Sequence, residues 1–266
     1  MKELQNLLKR PADCNKGDFG HVLIIGGDYG MGGAAIMAAE AAYRAGAGKV
    51  SILSRNENYA AILARLPNAM TVFEEKNPEK IFANKTVIAI GMGLGKSGWS
   101  KNFLKASLQC NLPKIIDADA LNLISESKKN LNLENCIITP HAAEAARLLG
   151  FSIDKILEDR KAAAQKLYEK FGAITVLKGK DSLICGKNFL HICKFGNAGM
   201  ATAGMGDALS GIIAGLVAQK LNLKDAAVFG VELHAKAGDL VVKKQGEIGM
   251  MPQDVIAALP LIINAL

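Results

Sequence analysis

Residues 196–216 read GNAGMATAGMGDALSGIIAGL, and this stretch decides how the rest of the chain is understood. Glycines stand at 196, 199, 204 and 206, followed by an acid, Asp207, and then a helical pattern. Glycine lets the backbone take positive φ and approach a ligand with no Cβ in the way. A helix opening there adds unpaired N–H groups and the positive end of its dipole, which together form an anion site. A carboxylate is out of place if the task is only to hold phosphate. It fits a base that takes a proton from a hydroxyl while the N–H groups hold the moving charge. An aspartate at this point also reads as a plain helix cap. The local residues leave both roles open.

Working outward, short apolar runs at 21–25 (HVLII), 50–53, 86–90 (TVIAI), 114–116 (KII), 136–139 and 174–177 read as buried strands. Helical patterns at 34–45, 57–65, 153–171, 209–221, 226–242 and 252–266 separate or follow them, with 153–171 as one long amphipathic helix. A hairpin is expected from 182–185 and 188–192 about Gly186-Lys187. Strands alternating with helices along the whole length predict an α/β fold, a mostly parallel central sheet with helices on both faces, as a single domain. Ligands in such folds gather at the carboxyl ends of the strands, and the glycine and acid clusters of this chain all fall there.

Those clusters vary in how much they specify. Gly30, Gly32 and Ala35 satisfy GxGxxA. The turn is longer than a dinucleotide fingerprint wants, however, and no acid closes the second strand, where Arg55 and Glu57 lie nearest. GMGLGKS at 91–97 misses a phosphate-loop spacing by one, because Ile90 stands where a glycine is needed; Lys96 reads as an exposed loop lysine. Asp117 and Asp119 at a strand end suit a hydrated Mg²⁺ or a site wall, and equally a cap plus a solvent-facing acid. His141 and Glu144, three apart after Pro140, are expected to share one helix face.

Composition narrows the class. The chain has 266 residues, half of them hydrophobic, with 27 glycines and 7 prolines, which supports a large core with many tight turns. The net charge of +7 is scattered, with short pairs such as Lys128-Lys129 and Lys243-Lys244 and few aromatics, a poor footprint for nucleic acid. Five cysteines (14, 110, 136, 185 and 193) form no CxxC or metal spacing; Cys136 and Cys185 read as small core residues. The start, MKELQNLLKR, has no long apolar region and no run reaches membrane-spanning length, so the expected location is cytoplasmic.

Taken in order, KGDFGHVLIIGGDYG, RAGAG, IGMGLG, DADALNL, ITPHAAEAARLLG, VLKGKDSLI and the opening stretch make the chain resemble the ADP- or ATP-dependent NAD(P)H-hydrate dehydratases of the ribokinase-like superfamily. The resemblance runs from about residue 10 to the C-terminus. It departs from the commonest wording at Met92, Ala142-Ala143, Lys180-Asp181 and Ala203, none of them a proposed catalytic group.

The resemblance implies a repair reaction: hydrated NADH or NADPH (the S-epimer of NADHX or NADPHX) is dehydrated with cleavage of a nucleotide's terminal phosphate. Asp207 would act as base, with Gly204 and Gly206 and the following helix start as anion hole. Ala34, Gly93, His141 and Asp207 would contact the hydrated dinucleotide. Lys178, Gly179, Lys180, Asp181, Ser182 and Gly206 would line the adenine-nucleotide site, and Glu144 would meet Mg²⁺ through water. A homotetramer and a separate NAD(P)H-hydrate epimerase as functional partner belong to the same expectation. A vitamin-alcohol kinase of the same fold is the alternative, which TPH in place of TPN and the GDFG start argue against.

Overall fold

The computed structural model describes residues 10–73, 78–127 and 131–265. The leading residues 1–9 and the Lys128-Lys129 pair lie outside them. Nine strands form one sheet: β1 His21–Ile25, β2 Lys49–Leu53, β3 Met70–Thr71, β4 Val87–Ile90, β5 Lys114–Ile116, β6 Cys136–Ile138, β7 Ile174–Leu177, β8 Leu183–Gly186 and β9 Phe189–Ile192. Their order is β3-β2-β1-β4-β5-β6-β7-β8-β9, parallel as far as β7, with β8 and β9 added antiparallel. The chain leaves β1 toward one edge and resumes at β4 toward the other. Ligands bind beside such a reversal, outside the strands' carboxyl ends.

Helices cover both faces of this sheet. One face carries α1 Gly32–Arg44, α9 Met205–Ala218, α10 Leu223–Gln245 and α11 Pro252–Asn264, and the other carries α4 Gly98–Gln109, α5 Ala118–Glu126, α6 Ala142–Leu149, α7 Ile153–Glu158 and α8 Arg160–Phe171. Two short helices, α2 Tyr59–Arg65 and α3 Pro78–Phe82, fill the β2 to β4 connection. Strand β1 shows why both faces need covering: Val22 and Ile24 enter the first core, Leu23 and Ile25 the second, and all four are fully buried. An unbroken apolar run is what a doubly covered parallel strand requires.

Two expectations are corrected. The helix expected over 153–171 is two helices, because Asp159 leaves helical geometry (φ −140°, ψ 84°) and its carboxylate accepts the Ala162 N–H at 2.9 Å to start α8. The hairpin turns one residue later than expected: Gly186 pairs with Phe189 inside the ladder, and Asn188 takes the positive φ of 57°. Cys136 and Cys185 are buried in the core as expected. Among the described residues no helix is long and apolar enough to cross a membrane.

Candidate active site

Helix α9 starts without a side-chain cap. Gly204 holds the cap position at φ 94°, and Asp207 is the third helical residue, so the reading of Asp207 as the cap is set aside. The N–H groups of the first turn have no partner within the helix and point to its end. Gly204 is required by its left-handed backbone, whereas the Met37 methyl that a Cβ there would meet at 2.5 Å ends a flexible side chain that can swing aside. Gly206 leaves room instead for a cation, since a Cβ on it would sit 3.2 Å from Lys178 Nζ and 3.6 Å from Asp117 Oδ2.

The ends of β5, β6 and β7 converge on that turn. Asp117, just past β5, is 1% exposed. Its Oδ1 is 2.7 Å from Lys178 Nζ, just past β7, and its Oδ2 accepts the Ser210 hydroxyl of α9 at 2.8 Å. Asp117 is therefore neither a side-chain cap nor a solvent-facing acid. Glu144 Oε2 lies 3.9 Å from the same ammonium. Asp119 faces elsewhere, accepting the Gly95 N–H at 2.8 Å.

His141 and Glu144 meet side by side as expected, Nε2 lying 3.4 Å from Oε1, but His141 is the cap of the helix and not a residue on its face. His141 caps α6, its Nδ1 accepting the Ala143 and Glu144 N–H groups, while Glu144 Oε2 accepts the His141 N–H at 2.8 Å. This reciprocal capping box buries the glutamate and leaves the imidazole half-exposed toward solvent.

The charges in this pocket shape one another. Burial, then the neighbouring Asp117, lift the Asp207 carboxyl to about 7, against the pull of Lys178. Burial also raises Glu144. Burial opposes the Lys178 ammonium, but Asp117 and Glu144 outweigh it and hold the amine charged. Burial and the Lys178 charge lower His141, which stays a neutral ring that offers hydrogen bonds without adding charge. An aspartate near 7 accepts a proton at neutral pH and can later release it, which suits a general base.

The remaining candidates divide into two groups. Ala34 and Gly93 meet at the β1/β4 reversal: a Cβ on Gly93 would lie 3.1 Å from Ala34 Cβ and 2.8 Å from Met31 Cβ, and the Asp28 N–H donates to the Gly93 carbonyl at 2.6 Å. The 178–182 turn is held from behind by Arg160, whose guanidinium donates to the carbonyls of Leu177, Lys178, Lys180 and Asp181. Ser182 Oγ donates to the Gly179 carbonyl at 2.9 Å, and Lys180 is exposed. Only Lys178 of this turn reaches the carboxylates. Lys96 pairs with Glu126 at 2.6 Å, half-exposed, away from this centre.

Arg160 and Ser210 were not anticipated. Arg160 sat in a pattern read as one long amphipathic helix, with no role assigned to it. Ser210 follows Asp207 by three on a helix, a spacing that puts the two on one face.

A family model described as NAD(P)H-hydrate dehydratase matches residues 22–261. The chain belongs to that family.

It is 46% identical over 261 residues to the bifunctional NAD(P)H-hydrate repair enzyme of Coxiella burnetii, covering 97% of this chain and 53% of that protein. The chain thus spans about half the length of such bifunctional relatives. It is 37% identical to the ADP-dependent (S)-NAD(P)H-hydrate dehydratase of Neisseria meningitidis, covering 89% of this chain and 82% of that one. The crystal structure of the ADP/ATP-dependent NAD(P)H-hydrate dehydratase from Bacillus subtilis, co-crystallised with ATP and Mg²⁺, superimposes with a TM-score of 0.86 at 26% identity, over 99% of this chain and 96% of that one.

As for a metal, no group of three His, Cys, Asp or Glu comes together as a metal site among the described residues. Asp117 and Glu144 both lean on Lys178. These residues do not form a cage for a resident ion. They do fit a Mg²⁺ carried on nucleotide phosphates and met through water, for which such ions keep part of their hydration.

Proposed function

We propose that the chain dehydrates the S-epimer of hydrated NADH or NADPH, coupled to cleavage of the terminal phosphate of ADP or ATP. The observation that carries this reading is the place of Asp207 on the first turn of an uncapped helix beside the Lys178 ammonium, where burial and the neighbouring Asp117 push its carboxyl up to about 7. A module that only held a nucleotide would gain nothing from burying a base against its phosphate.

Hydroxide is a poor leaving group, so the hydrate's hydroxyl is first made into a phosphate ester. Asp207 takes the hydroxyl proton as that oxygen attacks the terminal phosphorus, and the bridging P–O bond breaks to release AMP from ADP, or ADP from ATP. The first-turn N–H groups at Gly206 and Asp207 receive the equatorial oxygens, and Lys178 offsets their charge. The ring nitrogen's lone pair then expels phosphate, and loss of a proton from the neighbouring ring carbon restores the dihydropyridine double bond. Glu144 is the residue that would hold a Mg²⁺ through water, and the ion would supply charge neutralisation to the phosphates.

Ala34, Gly93 and His141 are the groups we assign to the hydrated dinucleotide. Gly179, Lys180, Asp181 and Ser182 are assigned to the adenine nucleotide; the rigid backbone that Arg160 gives this turn supports the assignment. Cytoplasmic location, a homotetramer and an epimerase that supplies the S-epimer complete the proposal, the last two resting on the family resemblance.

The test supplies purified protein with NADHX and Mg²⁺, and with ADP or ATP in separate reactions. Return of NADH absorbance matched by phosphate release supports the reading. A stable phosphorylated hydrate with no NADH would overturn it in favour of a kinase.

A further inference from the structure

Tyr29 is 64% exposed, yet its ring is held in place. The Arg55 guanidinium lies 4.7 Å from its centroid and 4.6 Å from that of the buried Trp99, the chain's single tryptophan. Arg55 is itself fixed, with Nε donating to Asp28 Oδ1 at 2.6 Å and Nη2 to Ser97 Oγ at 3.1 Å. The Tyr29 N–H donates to the same Asp28 oxygen at 3.0 Å. The fold thus spends a half-buried cation and a buried carboxylate on steadying an aromatic ring that faces solvent.

The place of this ring gives it meaning. It stands at the β1/β4 reversal, in the loop whose next residues pack on Gly93, and whose Asp28 is bonded to the Gly93 carbonyl. The loop that follows it is open, since a Cβ on Gly30 or Gly33 would meet nothing within 4 Å. Met37, which touches Gly204 at the phosphoryl-transfer centre, lies five residues into α1 from Gly32, roughly 8 Å along the helix. Tyr29 is beyond the opposite end of that span. A group handled there belongs to the far half of an extended ligand whose reacting ring sits at Asp207.

We infer that the outward face of Tyr29 is a stacking platform for the purine base at the far end of the hydrated dinucleotide, a subsite separate from the phosphoryl-transfer centre. The inference rests on the reading of Ala34 and Gly93 as the dinucleotide's wall. Stacking needs only a steady ring and an open face, and a cation behind the ring draws its electron density away from the outer face, which favours an electron-rich purine there.

Calorimetric titration in the absence of nucleotide donor tests this without turnover, using NADHX and the hydrate of reduced nicotinamide mononucleotide, which lacks the purine. Tyr29→Ala should weaken NADHX binding about tenfold, in line with the loss of one base–aromatic stack. Mononucleotide affinity should shift far less, and Tyr29→Phe should restore dinucleotide binding. Equal NADHX affinity in wild type and Tyr29→Ala overturns the platform while leaving the dehydratase reading intact. Equal losses for both ligands also overturn it. A wild type that binds neither hydrate removes the dinucleotide wall, and the platform with it.

Discussion

Lys178 Nζ lies 2.7 Å from Asp117 Oδ1, although 61 residues separate the two in sequence. The pair ties the end of β7 to the end of β5, across β6, and sets one ammonium among the carboxylates of Asp117, Glu144 and Asp207. Replacing Lys178 by methionine leaves Asp117, 1% exposed, without its counter-charge. Stability should fall by about 3 kcal/mol, read by urea unfolding. The double variant Lys178→Met/Asp117→Asn should recover much of that loss. Recovery of none would show that the ammonium is not there to neutralise Asp117.

Asp207 fixes the direction of the pH dependence. As a base it works ionised, and with its carboxyl lifted to about 7 the ionised fraction grows as pH rises. The kcat/KM for the hydrate should climb through about pH 7 and level off above it. A profile flat from pH 5.5 to 8.5 would remove Asp207 from the proton transfer.

Asp207→Asn should lower turnover by at least about 100-fold while nucleotide affinity stays within a few-fold. The same variant should be the more stable protein in alkali. A folded-state value near 7, against 3.8 for a free aspartate, means the fold disfavours the ionised form. Its stabilising effect is present below about pH 4 and is lost as pH rises through 7. The Tm of Asp207→Asn should therefore exceed that of wild type at pH 8, with the gap closing toward pH 4. Equal Tm values at pH 8 would show that the carboxylate is not under strain.

Glu144→Gln keeps a group able to accept the His141 N–H but removes the charge that would hold a metal's water. The Mg²⁺ concentration for half-maximal rate should rise several-fold with the Tm little changed. An unaltered metal requirement would return Glu144 to its capping role alone.

Much of this was legible in the residue order. Apolar runs such as HVLII announced strands covered on both faces, and the glycines after them marked the turns at the strands' carboxyl ends. What the order concealed came from pairings between distant segments. Asp117 read either as part of a site wall or Mg²⁺ site or as a cap beside a surface acid, because nothing near it in sequence hints at Lys178. Arg160 did not stand out within an amphipathic helix, because its partners are carbonyls of a turn about 20 residues on. The break at Asp159 was hidden in a periodic pattern that runs through both helices and only a backbone-capping carboxylate interrupts. His141 and Glu144 showed their spacing but not that the helix begins between them.

Helices α1 and α9 touch backbone to side: a Cβ on Gly211 would come within 2.0 Å of the Ala38 carbonyl oxygen, and one on Gly215 within 2.6 Å of that of Ala42. With no side chain between them to yield, the two helices have no room to slide or hinge. Ala34, near the start of one, and Asp207, near the start of the other, therefore move as a single body. Any clamping down on bound ligands has to come from outside this pair, where the loop ahead of Gly204 is exposed and Arg160 does not tie it.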